Sequence, residues 1–310
     1  MTVRDVFELR RQGKTEEAYE AIRPMYAVHQ GHYTTIAMFW TASDMLKLRL
    51  EQKRTDEAAR IFQALCRLYP NLDDGDGRGG TAMLHHALRL KDVMAGFSML
   101  DFLTEWGIER LTPADWAPGA ANDHPLPSTA QRLIACVHQE LEDTPTPEQA
   151  LRVVPILQEA LRYGRNNMNY LRLMALVHRI GGDREKAAAI YKQLLQRHHQ
   201  SYLYNELAAL VEQPAEQVAL MAKAILTQRE ERFRTKLHIR MAELLETVAP
   251  ERAAYELNES IRIRQSGGFH LSSQQQQMAA RLKGIVPVKA LAQRQFYLEQ
   301  AARVDRIVSG

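Results

Sequence analysis

The stretch "GGDREKAAAIYKQLL", Gly181–Leu195, decides the fold. A glycine pair leads through charged residues to Ala187, Tyr191 and Leu194, spaced i, i+4 and i+7. That spacing sets three apolar or aromatic side chains on one face of an α-helix. The glycines ahead of it supply the backbone freedom that a tight helix–helix turn needs. A single striped helix must be covered by another. "NMNYLRLMALVHRIGG", immediately upstream, provides the cover through Leu171, Met174, Ala175 and His178. The pair reads as a helical hairpin.

The hairpin recurs. Val153, Leu157 and Ala160 repeat the small–large–apolar pattern 34 residues upstream. Their partner helix is "STAQRLIACVHQEL", through Leu133, Ile134, Val137 and Leu141. Ala58, Phe62 and Leu65 form another copy that closes at Pro70, and Gly13, Ala18, Ile22 and Met25 form one at the front. Downstream, Ala253, Leu257 and Ser260 lie 66 residues beyond Ala187, about two periods. A looser copy around Leu220 falls between them, preceded by "SYLYNELAAL", with Pro214 suited to the first turn of its helix.

A helix–turn–helix of about 34 residues with Gly–x4–Ala–x3–Tyr/Phe–x2–Leu/Ala resembles the tetratricopeptide repeat (TPR). Gly182–Ala187–Tyr191–Leu194 and Ala58–Phe62–Leu65–Pro70 carry the resemblance, which covers roughly residues 1–70 and 128–265. The chain departs from the family pattern in places. The early aromatic is Leu171 in the best copy and Ala42 in the second, and the closing proline is His199 in the best copy. The resemblance implies an all-α fold, an α-solenoid of antiparallel helical hairpins wound into a TPR-like superhelix.

The repeat breaks over residues 71–127. "NLDDGDGRGG" reads as a flexible acidic loop. Ala82–Leu90 and Phe97–Trp106 read as a divergent hairpin continuing the stack. "LTPADWAPGAANDHPLPS" reads as a long irregular connection. The expected organisation is therefore TPR-like hairpins over 1–70, a divergent helical segment over 71–127, further repeats over 128–265 and capping helices over 266–310. In the last segment Ala290, Leu291, Gln295, Phe296 and Leu298 mark a helix expected to cover the open end of the stack.

Motifs for chemistry are missing. Counted as an EF-hand from Asp74, "DDGDG" places Arg78 at position five and His85 at position twelve, where calcium needs oxygen ligands. His85-His86 and His198-His199 are adjacent pairs whose members point ~100° apart on a helix and cannot close on one ion alone. "GDGRGG" lacks the Gly-Lys-Ser/Thr of a phosphate loop, and there is no Gly-x-Ser-x-Gly elbow. No metal, no cofactor and no enzymatic activity are expected. Cys66 and Cys136 stand 70 positions apart, which excludes a local Cys-x-x-Cys site. With no apolar leader or span, a cytoplasmic location is the expectation.

Charge is unevenly spread. Residues 71–150 hold 13 acids against 5 bases, while the whole chain is +3. The basic stretch "TQREERFRTKLHIRMAELLE" is interleaved with acids and reads as a charged helix face. A repeat array of this kind offers a wall formed by the first helix of each hairpin. On it, Asn169, Arg172, Arg179 and Asn205 lie off the packed stripe and are the candidate partner-binding residues. The sequence thus reads as a non-catalytic protein–protein scaffold or adaptor of a bacterial-type cytoplasm. It would bind a peptide or partner helix, favouring an acidic one. The alternative is a nucleic-acid-associated accessory factor that uses the basic second half.

Overall fold

The computed structural model describes residues 1–121 and 124–309, and the chain divides into two compact units, Met1–Tyr170 and Leu171–Gly310. The first unit contains α1 (Val3–Arg11), α2 (Thr15–Val28), α3 (His32–Glu51), α4 (Thr55–Leu68), α5 (Arg78–Val93), α6 (Met99–Trp106), α7 (Pro113–Trp116), β1 (Gly119–Ala121), β2 (His124–Leu126), α8 (Thr129–Asp143) and α9 (Pro147–Tyr163). The boundary falls inside α10 (Met168–Ile180). The second unit continues with α11 (Arg184–Leu195), α12 (Ser201–Ala208), α13 (Pro214–Thr227), α14 (Arg234–Leu245), α15 (Pro250–Ser266), α16 (Ser273–Arg281), α17 (Ala290–Ala301) and α18 (Val304–Ser309).

The architecture is all-α, with a short antiparallel strand pair among the described residues in which Gly119 is opposite Leu126 and Ala121 opposite His124. The i, i+4, i+7 stripes point inward as read. Ala187, Tyr191 and Leu194 are buried, as are Ala58, Phe62 and Leu65, Val153, Leu157 and Ala160, and Ala253, Leu257 and Ser260. Burying a large apolar side chain is worth about 1.5–3 kcal/mol, so these stripes supply much of the force that closes each hairpin.

Three of the turns inside the hairpins follow one design. After α10, Gly182 takes a left-handed conformation (φ +86°), its amide bonds Arg179 O, and Asp183 N bonds His178 O. These two bonds recapture carbonyls that the helix end would leave unpaired. Gly13 after α1 and Lys53 after α3 repeat the same pair of bonds (φ +74° and +59°). Asp183 then accepts from Lys186 N and starts α11.

In the first unit α1/α2, α3/α4, α5/α6 and α8/α9 are successive hairpins, and the first helices α1, α3, α5 and α8 pack in series. The divergent segment joins through aromatics: Phe62 meets Phe97 and Phe102 at 5.9 and 5.5 Å, and Tyr69 meets Trp106 at 4.4 Å. The acidic stretch read as a flexible loop is a built turn instead. Asp74 accepts from the amides of Gly79 and Gly80 (2.8 and 2.7 Å) and from the Tyr69 hydroxyl (3.0 Å). A carboxylate that finds three donors holds its loop closed. Within the long connection, Trp116 stacks on Tyr163 at 4.3 Å, while residues 122–123 of that stretch lie outside the described residues.

In the second unit α12/α13 and α14/α15 are hairpins, and α16 packs on α15. The last long helix forms, but turned differently from the sequence reading. α17 folds back onto α13 and α15, and α18 onto α11 and α13. Its buried residues are Gln293, Tyr297 and Ala301, whereas Leu291 is 79% and Leu298 50% exposed. Polar partners decide this orientation, as described below.

Candidate partner-binding face

The residues singled out from sequence lie on the first helices α10 and α12. Arg172 turns to the neighbouring first helix. Its Nε donates to Glu206 Oε2 at 3.2 Å, a second nitrogen donates to Oε1, and the guanidinium lies 4.4 Å from the Tyr202 ring centroid. Burial works against the Arg172 charge. The bonds and charge of Glu206 outweigh it, so the guanidinium holds its proton more tightly than usual. The Tyr191 hydroxyl is pushed well above the ordinary phenol range by burial and by the same carboxylate. Arg172 is therefore a structural cation first, with its charge already matched.

Asn205 is also engaged. Arg240 of α14 donates to its Oδ1 at 2.7 Å and to its carbonyl at 2.8 Å. Arg179 lies close enough to Arg240 to lower the latter's pKa, behind burial as the larger cause, with Glu243 opposing. Among the described residues, neither Arg179 nor Arg240 has a carboxylate within ion-pair distance. Asn169 sits at the start of α10 with its side chain exposed and its amide bonded to Asn167 Oδ1 at 2.9 Å. Arg172 and Asn205 are thus each tied to an adjacent first helix, and Arg179 lies near enough to Arg240 for the two charges to oppose each other.

Sequence reading missed Tyr202 and Glu206, and read Arg240 as one of many charges. A signal for them existed at the repeat interval. Arg172–Glu206 is separated by 34 positions and Asn205–Arg240 by 35. The first unit stitches α1 to α3 in the same way, Arg10 pairing with Asp44 at 2.7 Å over 34 positions. All three pairs lie one period apart, the interval at which complementary polar residues can meet once packing has set the helices.

The other motifs resolve into packing. His86 is buried and hydrogen-bonded to Ser43 Oγ at 2.7 Å, and His199 Nδ1 lies 3.1 Å from the Tyr204 hydroxyl. No group of His, Cys, Asp and Glu side chains among the described residues is arranged to hold a metal ion. None of the helices among the described residues is long and apolar enough to cross a membrane. In the basic stretch, Arg232 pairs with Glu230 and Arg234 donates to the Gln228 carbonyl.

Successive antiparallel hairpins, stitched first helix to first helix at the repeat interval, define an α-helical repeat protein. The tetratricopeptide repeat model matches residues 37–72, which span α3 and α4, and the chain is TPR-like. Residues 170–303 match a domain of unknown function, DUF7017, which takes in α17 as well as the hairpins before it. A search of curated proteins finds no match to the chain. Tetratricopeptide repeats point to a role in protein–protein interaction.

Proposed function

We propose that the chain is a non-catalytic adaptor whose first-helix surface around α10, α12 and α14 holds an acidic segment of a protein partner. One observation carries the acidic preference. Arg240 is part-buried and bonded only to the neutral oxygens of Asn205, and burial together with the nearby Arg179 charge works against its own charge, with Glu243 opposing. Two like charges brought together destabilise each other, and an incoming carboxylate relieves both. Arg172, matched by Glu206, contributes a fixed wall and Tyr202 an aromatic surface; Asn169 adds an exposed amide. A cytoplasmic location belongs to the same reading, and free Cys66 and Cys136 are in keeping with a reducing compartment.

The test is capture of partners from a native lysate, with and without nuclease, on wild type and on Arg179→Glu. Proteins retained by wild type after nuclease treatment and lost by the charge reversal support the adaptor. Retention that disappears with nuclease and falls steeply with salt supports the nucleic-acid alternative instead.

A further inference from the structure

α13 is buried around most of its circumference between Val218 and Ile225, with Lys223 as the polar exception. Val218, Ala219, Leu220, Met221, Ala222, Ala224 and Ile225 are all buried, more than one hairpin stripe requires. A helix of that composition is normally covered on both sides. Here one side belongs to the hairpin and its neighbour α14, and the other is covered by α17 and α18.

The cover has few apolar anchors of its own. Gln293, Tyr297 and Ala301 are the buried residues of α17, joined by Val304 of α18, while Leu291 and Leu298 point to water. Its central polar fastening is one carboxylate, beside a backbone bond from Val288 N to Glu251 O at 3.2 Å. Glu256 of α15 is fully buried and receives the Gln293 amide and the Tyr297 hydroxyl, both from α17. His238 Nδ1 of α14 lies 2.6 Å from its other oxygen. Arg252 braces the same seam, donating to Gln293 Oε1 at 2.9 Å and stacking over Phe296 at 4.4 Å. The strap leading to α17, Leu282–Lys289, is non-helical apart from a turn, with Gly284 left-handed (φ +85°) and Val286 79% exposed.

A buried carboxylate that loses its donors is costly unless water reaches it. In this seam, lifting α17 removes two donors and admits water in the same motion, so each polar group exchanges one partner for another. A purely apolar seam has no such exchange. From this we infer that α17–α18 is a displaceable intramolecular ligand. It occupies a helix-docking face formed by α11, α13 and α15, and its release uncovers that face for an amphipathic partner helix. The competing helix needs a carboxamide and a phenol four residues apart, followed by a small residue four further on, the Gln293–Tyr297–Ala301 pattern. The face lies on the second helices α11, α13 and α15, whereas the adaptor surface uses first helices, so the inference stands apart from the acidic-partner reading.

Native-state hydrogen exchange on the full chain tests the release. Amides of residues 290–309 should exchange at least about tenfold faster than those of α13, through openings that leave α12–α15 protected. In Gln293→Ala/Tyr297→Phe they should exchange about tenfold faster again, with α12–α15 unchanged. A fluorescent peptide of residues 288–309 should bind this double variant at least about tenfold more tightly than wild type, whose own tail competes. Exchange of α17 in step with α13 in both proteins, or a peptide that binds neither, overturns the inference.

Discussion

Glu140 in the first unit and Glu256 in the second are both shielded carboxylates, and they act in opposite ways. Glu140 of α8 takes the Lys91 ammonium at 2.5 Å, the Ser98 hydroxyl at 3.2 Å, and the backbone amides of Met99 and Leu100 at 2.7 and 3.0 Å. Three of these donors belong to the N-terminus of α6, and two are main-chain groups that cannot rotate away. Glu256 takes side-chain donors, two of them from a helix tethered by coil. The same functional group makes a permanent weld where it caps a helix backbone and a releasable clasp where it meets side chains. Donor type, more than burial, decides which.

The largest expected effect bears on the weld. Glu140→Ala orphans a lysine and two helix amides and should cost about 4 kcal/mol of unfolding free energy. Chemical denaturation measures it, and a loss below about 1 kcal/mol would mean that Glu140 does not fasten α6. Leu194→Ala should cost about 3 kcal/mol, within the ~2–5 observed for buried leucines. It sets the scale for global unfolding of the second unit, against which clasp variants are judged. An unmoved melting curve would put Leu194 on the surface and undo the hairpin register.

Acid should reach the first unit through His86. Burial, followed by the nearby Lys47 and Arg89 charges, pushes its pKa down to about 4. The unfolded chain therefore takes up a proton at higher pH than the folded one. The associated stability is complete above about pH 6.5, is lost as pH falls toward 4, and amounts to about 3 kcal/mol. Urea titrations at several pH values should show this loss, and His86→Gln should flatten it. A wild-type profile that stays level over that window would place His86 in contact with water.

The smallest effect concerns the turns. Lys53 occupies the left-handed position that glycine fills at Gly13 and Gly182. Lys53→Gly should raise stability by about 0.5–1 kcal/mol, because a side chain is strained there. A destabilised variant would mean that the lysine side chain contributes more than its backbone costs.

Much of this was legible in residue patterns. The stripes at Ala187–Tyr191–Leu194 and Ala58–Phe62–Leu65, the glycine turn at Gly182 and the proline start at Pro214 are local features with local causes. Segment 71–127 was harder, because Asp74 looks like any loop aspartate until Gly79, Gly80 and Tyr69 close around it. The C-terminal helix was read as apolar-faced through Leu291 and Leu298. Its buried face is held by Gln293 and Tyr297, residues that hydropathy alone assigns to solvent.

The sequence by itself determined the helical hairpins, their register and their stopping points, since helix periodicity and turn chemistry act within a few residues. Only the tertiary structure decided that Arg172 meets Glu206, that Asn205 holds Arg240, and that α17 turns back to Glu256. Those choices join side chains some 34 to 37 positions apart. Which polar groups meet at that range depends on how whole helices seat against one another, because a buried polar atom must find its partner wherever packing has placed it.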